Sequence, residues 1–402
     1  MKEQRSIRVA IVGVGNCASA LVQGVDMYLC ESETKGLMFP DIGGYDAADI
    51  DFVAAFDVDQ RKTGRPLRKA IHEGTNCCYN IYANFDSEED EYNPIVQAAP
   101  ILDGVAKHMQ GFDLDDKEKF YLPYVELDTV PQTYEPAQVK YYADILMTKQ
   151  VDVLLNYLPV GSQIATEFWM EVCLKANVNV VNCIPVFIAS SKIWSQKFVD
   201  AGITIIGDDM RSQVGASIIS AALQELFLQR GATVEVHYQD NVGGNTDFLN
   251  MQDQTRLQSK KISKENVIKR QNDLAGVETK DNTVAAGPAK YFPDLGDNKR
   301  AHWLIKGTVF GGAPFEFTAD LSVQDSPNSA GVVIDAIRLV TVANELGIVG
   351  PVVGPSAATQ KTPPKDLGVR EAYEECQHLA NREVPEGYHR TDDNMFVTDW
   401  LA

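Results

Sequence analysis

A glycine-rich segment near the start of the chain has the residue types and spacing of a dinucleotide-binding turn. It follows the β-branched run Ile7–Val12 and reads Gly13-Val14-Gly15-Asn16-Cys17-Ala18. Two glycines permit a tight turn and a close approach of the backbone to a pyrophosphate, and the helix that follows supplies N–H donors. Ala18 occupies the third small position of this fingerprint. The segment predicts a dinucleotide site, with a plain strand-to-helix turn as the alternative.

An acidic residue ends the second predicted strand, which covers Asp51–Asp57. A carboxylate at this position, here Asp57, accepts hydrogen bonds from the adenosine ribose and repels a 2′-phosphate, which favours NAD over NADP. Asp57 is separated from Gly15 in the sequence by more than the ~20 residues usual in this fingerprint, because the segment 31–50 lies between them. Asp59 is the alternative for this role, and a solvated strand end is the other interpretation.

Polar residues follow three further predicted strands, Val151–Leu155, Val178–Asn182 and Ile203–Ile206. Ligands bind outside the carboxyl ends of parallel strands, so these side chains are candidates for holding ribose or nicotinamide, for proton transfer or for orienting a lysine. Turn formation explains the same residues equally well. The candidates are Asn156, Tyr157, Asn182, Asp208, Asp209 and Ser212.

Two lysines four residues apart, Lys260 and Lys264, would share one face of a helix. Paired ammonium groups stabilise phosphate and developing oxyanions. A lysine-rich run is more often a solvated surface, but this one follows a run of amide and acidic side chains that includes Asn245 and Asp247. We therefore regard the two lysines as candidates for an anion site.

The spacing of the predicted elements places these candidates in two folding units. Strands alternate with helices up to about residue 212, which indicates a parallel sheet. Beyond it, Thr233–Gln239, His302–Phe310 and Pro314–Val323 alternate like strands of an antiparallel or mixed sheet. Helical character returns at Ala330–Leu346. The segments 31–50 and 87–135 interrupt the pattern and are predicted to be surface insertions.

Composition excludes several classes of function. The chain has 402 residues, enough for two to three domains, and a net charge of −20. Such a charge disfavours binding to nucleic acid or to an anionic membrane, so an anionic substrate would need local cations. Seven cysteines show no metal-ligand spacing, and no signal peptide or membrane-spanning run is evident. A cytoplasmic enzyme with reduced cysteines is expected.

The ordered motifs together resemble the short prokaryotic form of the myo-inositol-1-phosphate synthase family. The resemblance covers nearly the whole chain through the following segments: VAIVGVGNCASALVQGV, FVAAFDVD, NYLPVGS, IPVFIAS, GDDMRSQVGAS, NVGGNTDFLNM, RLQSKKISK, QDSPNSAGVVIDA and KTPPK. It implies an α/β fold, in which an inserted α+β catalytic and tetramerisation domain, 213–324, interrupts a Rossmann-type doubly wound parallel sheet. The sheet would be formed by 1–212 and 325–402.

The same resemblance implies a reaction. Members of the family are NAD-dependent isomerases that convert glucose 6-phosphate into an inositol monophosphate, a precursor for phospholipid synthesis. The steps are oxidation at C5, enolisation, C1–C6 aldol closure and re-reduction. The cofactor is recycled, and some relatives also use a mono- or divalent cation.

Motif by motif, the resemblance also implies site residues. Lys299 would face the C5 oxygen, with Asp209 or Asp325 relaying protons, and Lys260 would lie near the nicotinamide and the C1 oxygen. Lys264 and Lys361 would share O1 and phosphate, and Asn245 and Ser212 would help to hold phosphate or cofactor. Tyr157, Ser212 and Asp247 would contact the cofactor. Arg211 and Thr246 depart from the family pattern, in which Lys and Asn are common.

Two other functions fit parts of the sequence. An ordinary NAD(P) dehydrogenase would share the glycine-rich turn and the acid after the second strand. A catalytically inactive NAD-binding oligomer would share the fold, although the retention of all four motif lysines argues against it.

Overall fold

The structure of the protein is a computed structural model that describes residues 6–30, 35–81, 93–110, 127–280 and 283–402. The side chains at positions 254, 258–260, 288 and 289 are outside this description, and so is most of the predicted insertion 87–135. None of the described helices is both long enough and apolar enough to cross a membrane.

The described strands, in chain order, are β1 (Ile7–Val12), β2 (Ile50–Asp57), β3 (Val96–Ala98), β4 (Val153–Asn156), β5 (Asn179–Asn182), β6 (Thr204–Ile206), β7 (Thr233–Gly243), β8 (Val284–Tyr291), β9 (Asn298–Thr308), β10 (Pro314–Gln324), β11 (Gly350–Pro351), β12 (Tyr388–Arg390) and β13 (Phe396–Thr398). The described α-helices are α1 (Asn16–Cys30), α2 (Leu67–Ala70), α3 (Pro136–Thr148), α4 (Gln163–Ala176), α5 (Lys192–Asp200), α6 (Ala216–Gln229), α7 (Thr246–Asn250), α8 (Gln254–Leu274), α9 (Asp325–Glu345), α10 (Val353–Thr359) and α11 (Val369–Ala380).

Seven parallel strands form the first sheet, in the order β3-β2-β1-β4-β5-β6-β11. The apolar, mostly buried sequence of β1 is typical of a strand that is covered on both faces. The direction of winding reverses between β1 and β4, where the chain leaves a crevice at the carboxyl ends of the strands. Because Val12 pairs with Asn156, the glycine-rich turn and the segment after β4 begin side by side.

The second sheet is mixed, with the order β10-β9-β7-β8. Strands β7 and β8 are parallel, whereas β9 is antiparallel to both β7 and β10. The α/β fold class with an inserted second sheet is therefore confirmed. Two elements begin earlier in the chain than the sequence predicts. Strand β9 begins four residues earlier and so contains Lys299. Helix α9 begins at Asp325 rather than at Ala330.

The end of the chain returns to the first sheet. Helix α9 packs against α1 and is buried along most of its length, and β11 then pairs with β6. This topology places residues after 325 with the N-terminal sheet. The division at 212/213 and 324/325 stays a prediction.

A fully buried ion pair fixes α9 against the segment that precedes β2. Arg338 and Asp335 both have 0% side-chain exposure, and Arg338 Nη2 lies 2.5 Å from Asp335 Oδ1. The Arg338 guanidinium also donates to the carbonyl oxygens of Phe39, Pro40 and Tyr45. Burial raises the pKa of Asp335 to about 6, although the Arg338 charge opposes that shift. The pair therefore depends on both partners being present.

Asp335→Ala should destabilise the protein by about 3–5 kcal/mol, because it leaves the buried Arg338 charge without its carboxylate. Denaturant-induced unfolding, followed by circular dichroism, measures the change. The matched control is Arg370→Ala, which removes an ion pair with Glu374 whose side chains are 89% and 52% exposed. Its effect should be much smaller, because both side chains are solvated, and equal losses in the two variants would contradict the role given to the buried pair.

Candidate functional site

A cavity that opens to solvent lies between the carboxyl end of the first sheet and the second sheet. It brings together residues that are far apart in the sequence. The predicted site residues on its wall are Gly15, Asn16, Cys17, Ala18, Tyr157, Ser212, Asn245, Asp247, Lys264, Lys299, Asp325 and Lys361.

The two glycines of the turn have different roles. Gly13 has φ +93°, and a Cβ added there would lie 2.5 Å from the carbonyl oxygen of Tyr157. It therefore allows the close approach of β1 to the segment after β4. A Cβ added at Gly15 would meet nothing within 4 Å, since this residue faces the open cavity. Helix α1 begins at Asn16 and points its N-terminus at the same space.

Asp57 holds the glycine-rich turn from behind. Its carboxylate accepts hydrogen bonds from the backbone N–H groups of Val14 at 2.7 Å, Val58 at 2.7 Å and Asp59 at 2.8 Å. The buried Lys62 ammonium lies 3.9 Å from Asp57 and donates to the Val14 carbonyl at 2.8 Å. Sequence reasoning missed Lys62, which only the fold brings to this turn. Asp57 is not on the described cavity wall, and its predicted contact with ribose stays a prediction.

Asn156, Asn182 and Asp208 form a buried chain beneath the cavity, and each has 0% exposure. Asn156 Nδ2 donates to Asn182 Oδ1 at 2.8 Å, and Asn182 Nδ2 donates to Asp208 Oδ1 at 2.7 Å. The Asp208 carboxylate also accepts from Ser190 Oγ at 2.8 Å. Burial raises the pKa of Asp208 to about 6, against the effect of these hydrogen bonds. The three residues are not on the described cavity wall, and the cofactor contacts expected of them stay a prediction.

Tyr157 continues from this chain onto the wall of the cavity. Its hydroxyl is buried and has no hydrogen-bond partner among the described residues. Burial raises the pKa of its phenol well above the ordinary value, so the hydroxyl is neutral and able to donate.

Asp209 anchors one of the cavity lysines. The Asp209 side chain has 0% exposure, and its Oδ1 atom lies 2.9 Å from Lys361 Nζ. Its other oxygen accepts a hydrogen bond of 2.6 Å from Ser263 Oγ on α8. Lys361 also donates to the carbonyl oxygen of Met210. Asp209 is absent from the described wall and Lys361 is on it, so the carboxylate acts on the cavity through the lysine.

A second lysine and carboxylate face the cavity from the other sheet. Lys299 Nζ lies 3.1 Å from Asp325 Oδ1, and the two side chains are 19% and 18% exposed. Asn245 Nδ2 bridges Asp325 Oδ2, at 3.4 Å, and Asp297 Oδ1, at 3.2 Å. Asn245 Oδ1 accepts from the N–H of Asp247 and caps α7. The amide expected to hold phosphate or cofactor is therefore engaged in positioning two carboxylates.

Asp297 is a buried residue that sequence reasoning missed. It accepts hydrogen bonds from Ser326 N at 3.1 Å and Ser326 Oγ at 2.8 Å. Burial and then the Asp325 charge raise its pKa to about 6, while the hydrogen bonds from Ser326 and Asn245 oppose the shift. The available signal was its position two residues before Lys299.

Helix α8 presents its lysines to different surroundings. Lys264 is 5% exposed and lies on the cavity wall. The Lys261 side chain is 61% exposed and lies 4.0 Å from Glu265. Lys260 is within α8, but its side chain lies outside the described part of the chain. The Arg256 guanidinium donates to the Val160 carbonyl at 3.1 Å and so ties the start of α8 to the segment after β4.

The thiol of Cys17, in the glycine-rich turn, lies near the carboxylates of Asp325 and Asp297. Burial, followed by the charges of Asp325 and Asp297, raises its pKa to about 12, so the thiol stays neutral. Ser329 Oγ donates to its sulfur at 3.8 Å.

Within the described residues no cluster of three or more His, Cys, Asp or Glu side chains is arranged to hold a metal ion.

Comparisons with known proteins agree on one family. The family model described as myo-inositol-1-phosphate synthase matches residues 215–326. The chain is 43% identical over 367 residues to an inositol-3-phosphate synthase of Mycolicibacterium smegmatis, with coverage of 90% of this chain and 94% of that protein. It is 42% identical over 368 residues to the inositol-3-phosphate synthase of Corynebacterium glutamicum, again covering 90% and 94%.

Solved structures show the same fold. A myo-inositol-1-phosphate synthase-related protein of Thermotoga maritima has a TM-score of 0.72 at 24% identity, covering 95% of this chain and all of that one. An inositol-3-phosphate synthase of Caenorhabditis elegans has a TM-score of 0.72 at 16% identity, covering 97% of this chain and 88% of that one.

Proposed function

We propose, from the premise that this chain belongs to the myo-inositol-1-phosphate synthase family, that it converts D-glucose 6-phosphate into 1D-myo-inositol 3-phosphate with NAD as a recycled cofactor. The supporting observation is a single cavity that a glycine-rich turn, three lysines and two carboxylates line together. A dinucleotide on the turn would lie next to a phosphorylated sugar held by the lysines. The protein is an isomerase, since oxidation and re-reduction cancel.

The residues on the turn fit NAD. Gly15 leaves space for the pyrophosphate, and the N-terminus of α1 provides N–H donors beside it. Ser212, Asp247 and the unpartnered Tyr157 hydroxyl lie farther along the wall, where the nicotinamide end would lie. When bound, NAD supplies a hydride acceptor that later returns the hydride. The Asp57 carboxylate, behind the turn, would disfavour the 2′-phosphate of NADP.

The cavity lysines make an anion site possible in an acidic protein. The net charge of −20 repels a sugar phosphate at long range, and Lys264, Lys299 and Lys361 place ammonium groups at the cavity wall, where they can pair with it. Each reaction step also moves negative charge onto oxygen, which fixed ammonium groups stabilise. We assign phosphate and the C1 oxygen to Lys264 and Lys361, with Lys361 oriented by Asp209. The role near C1 predicted for Lys260 stays a prediction.

Lys299 is the candidate for proton transfer at the C5 oxygen. Its nitrogen lies 3.1 Å from the Asp325 carboxylate. Lys299 is therefore suited to pass protons on: it accepts the hydroxyl proton from C5 while it gives a proton to Asp325. The order reverses when the ketone is reduced.

Homotetramer assembly through the second sheet is also a proposal. Large apolar side chains are exposed in this part of the chain, including Phe310, which is 100% exposed in the turn between β9 and β10. Leu226, Val309 and Phe292 are exposed at 50%, 46% and 48%. Exposed apolar surface of this kind marks sites of protein association. A cytoplasmic location and a cation requirement stay predictions.

Incubation of the purified protein with glucose 6-phosphate and catalytic NAD should give an inositol monophosphate without net NADH. Phosphorus NMR or chromatography identifies the product, and absorbance follows NADH. The reason is that the carbonyl formed at C5 is consumed within the same cavity. Stoichiometric NADH with no cyclic product would instead establish the dehydrogenase alternative.

Lys299→Ala should lower kcat by ~10²–10⁴-fold, because it removes both an ammonium at the C5 oxygen and a proton carrier. NAD affinity should change little. Lys261→Ala is the matched control, since this lysine is 61% exposed and next to Glu265. Steady-state kinetics of the two variants decide the matter: near-normal turnover in Lys299→Ala would remove the residue from the mechanism.

Gly15→Val should weaken NAD binding by about tenfold or more without lowering the thermal midpoint, because the added side chain enters space that the dinucleotide needs. Isothermal titration and thermal unfolding measure the two effects. Gly287→Val in β8 is the control, since its added Cβ also meets nothing within 4 Å but it is not on the described cavity wall. Unchanged NAD affinity in Gly15→Val would place the cofactor elsewhere.

A further inference from the structure

Two carboxylates, rather than one, lie behind Lys299. Asp325 touches the lysine at 3.1 Å and is on the cavity wall, whereas Asp297 is 3% exposed and is not on the described wall. Asn245 donates to both from one nitrogen, at 3.4 Å and 3.2 Å. The two acids are therefore held next to each other by a neutral amide, with the second acid out of reach of a ligand.

Asp297 also sets the start of α9. Its carbonyl oxygen accepts a hydrogen bond of 2.8 Å from Asp325 N, and its carboxylate accepts from Ser326 N and Ser326 Oγ. The first two residues of α9 are thus fixed by one side chain and one carbonyl. Since β9 begins one residue after Asp297, the same residue connects the strand that carries Lys299 with the helix that carries Asp325.

We propose that Asp297 is a positioning residue for proton transfer at Lys299: it fixes Asp325 against the lysine, and its negative charge favours the movement of a proton onto Asp325. The inference rests on the proposed function. It adds to that function a group that never touches the substrate.

When the C5 alcohol is oxidised, its O–H proton moves to Lys299 Nζ, and Lys299 gives one of its protons to Asp325 Oδ1. The C5 hydrogen would leave with its electron pair, for which NAD held at the glycine-rich turn would supply the acceptor, so that the alcohol becomes a ketone. A negative charge beside Asp325 makes its gain of a proton more favourable, because two adjacent carboxylates repel. The final reduction reverses each transfer.

The groups around Asp297 define its pH dependence. Asp325 and Lys299 face it from α9 and β9, and the thiols of Cys17, Cys77 and Cys78 lie near it. Burial raises the pKa of Cys17 to about 12 and that of Cys77 to about 11, and it raises that of Cys78 further, so these thiols stay neutral near pH 7.

The pKa of Asp297 itself is about 6, above its ordinary value, because of burial and the Asp325 charge. The carboxylate is consequently ionised above that pH and protonated below it. The unaltered protein should lose turnover as pH falls through about 6.

Asp297→Asn tests the proposal through kcat between about pH 5 and pH 9 and through the isotope effect of substrate deuterated at C5. We expect kcat at pH 8 to fall about tenfold, the decline near pH 6 to flatten, and the isotope effect to rise because hydride transfer becomes slower. KM should stay within about twofold. Asp294→Asn is the matched control: it changes the same charge at an exposed position three residues earlier.

Ser326→Ala supplies an independent test, because it should shift the acid decline of kcat, whereas Asp297→Asn should flatten that decline. It removes the hydroxyl that donates to Asp297, so the ionised carboxylate loses stabilisation and the acid decline of kcat should move to higher pH. This variant decides the question if Asp297→Asn does not fold, and an unmoved decline would overturn the proposal.

A pH profile and isotope effect in Asp297→Asn equal to those of Asp294→Asn would likewise overturn the role of Asp297 while leaving the proposed function intact. Failure of the unaltered protein to form any inositol phosphate would overturn both.

Discussion

A lysine ammonium held against a carboxylate inside an acidic protein is the interaction on which this site depends. Among the described residues of the cavity wall it involves two lysines, Lys299 with Asp325 and Lys361 with Asp209. Burying either charge alone would cost several kcal/mol, so each partner makes the other tolerable. Both lysines keep one side open to the cavity, where an anionic ligand would complete their coordination.

These pairs also join segments that are distant in the chain. Asp209 follows β6 and Lys361 follows α10, so their contact connects the centre of the chain with its C-terminal part. Lys299 in β9 and Asp325 in α9 connect the second sheet with the helix packed against α1. The groups proposed to bind substrate thus also join distant segments of the chain around the cavity.

Polar residues below the wall keep the arrangement fixed. Asn156, Asn182 and Asp208 connect the ends of neighbouring strands, and Lys62 and Asp57 hold the glycine-rich turn. Buried polar groups are costly unless they are paired, and these are paired with one another or with the backbone. A site held in this way changes little in shape when charge moves within it, which is what electrostatic stabilisation of successive oxyanions requires.

The sequence by itself determined the glycine-rich turn, the alternation of strands and helices, and the motifs of the family, because each depends on residues close together in the chain. It also marked Lys299, Lys361, Asp209 and Asp325 by their motifs. Only the tertiary structure decided which acid lies against which lysine, that Asn156 and Asn182 are hydrogen-bonded to each other, that Asn245 joins Asp297 to Asp325, and that Lys62 contacts the glycine-rich turn. Those contacts span tens to hundreds of residues, and no local periodicity specifies them, since they arise from how strand ends, helix starts and the returning C-terminal segment pack together.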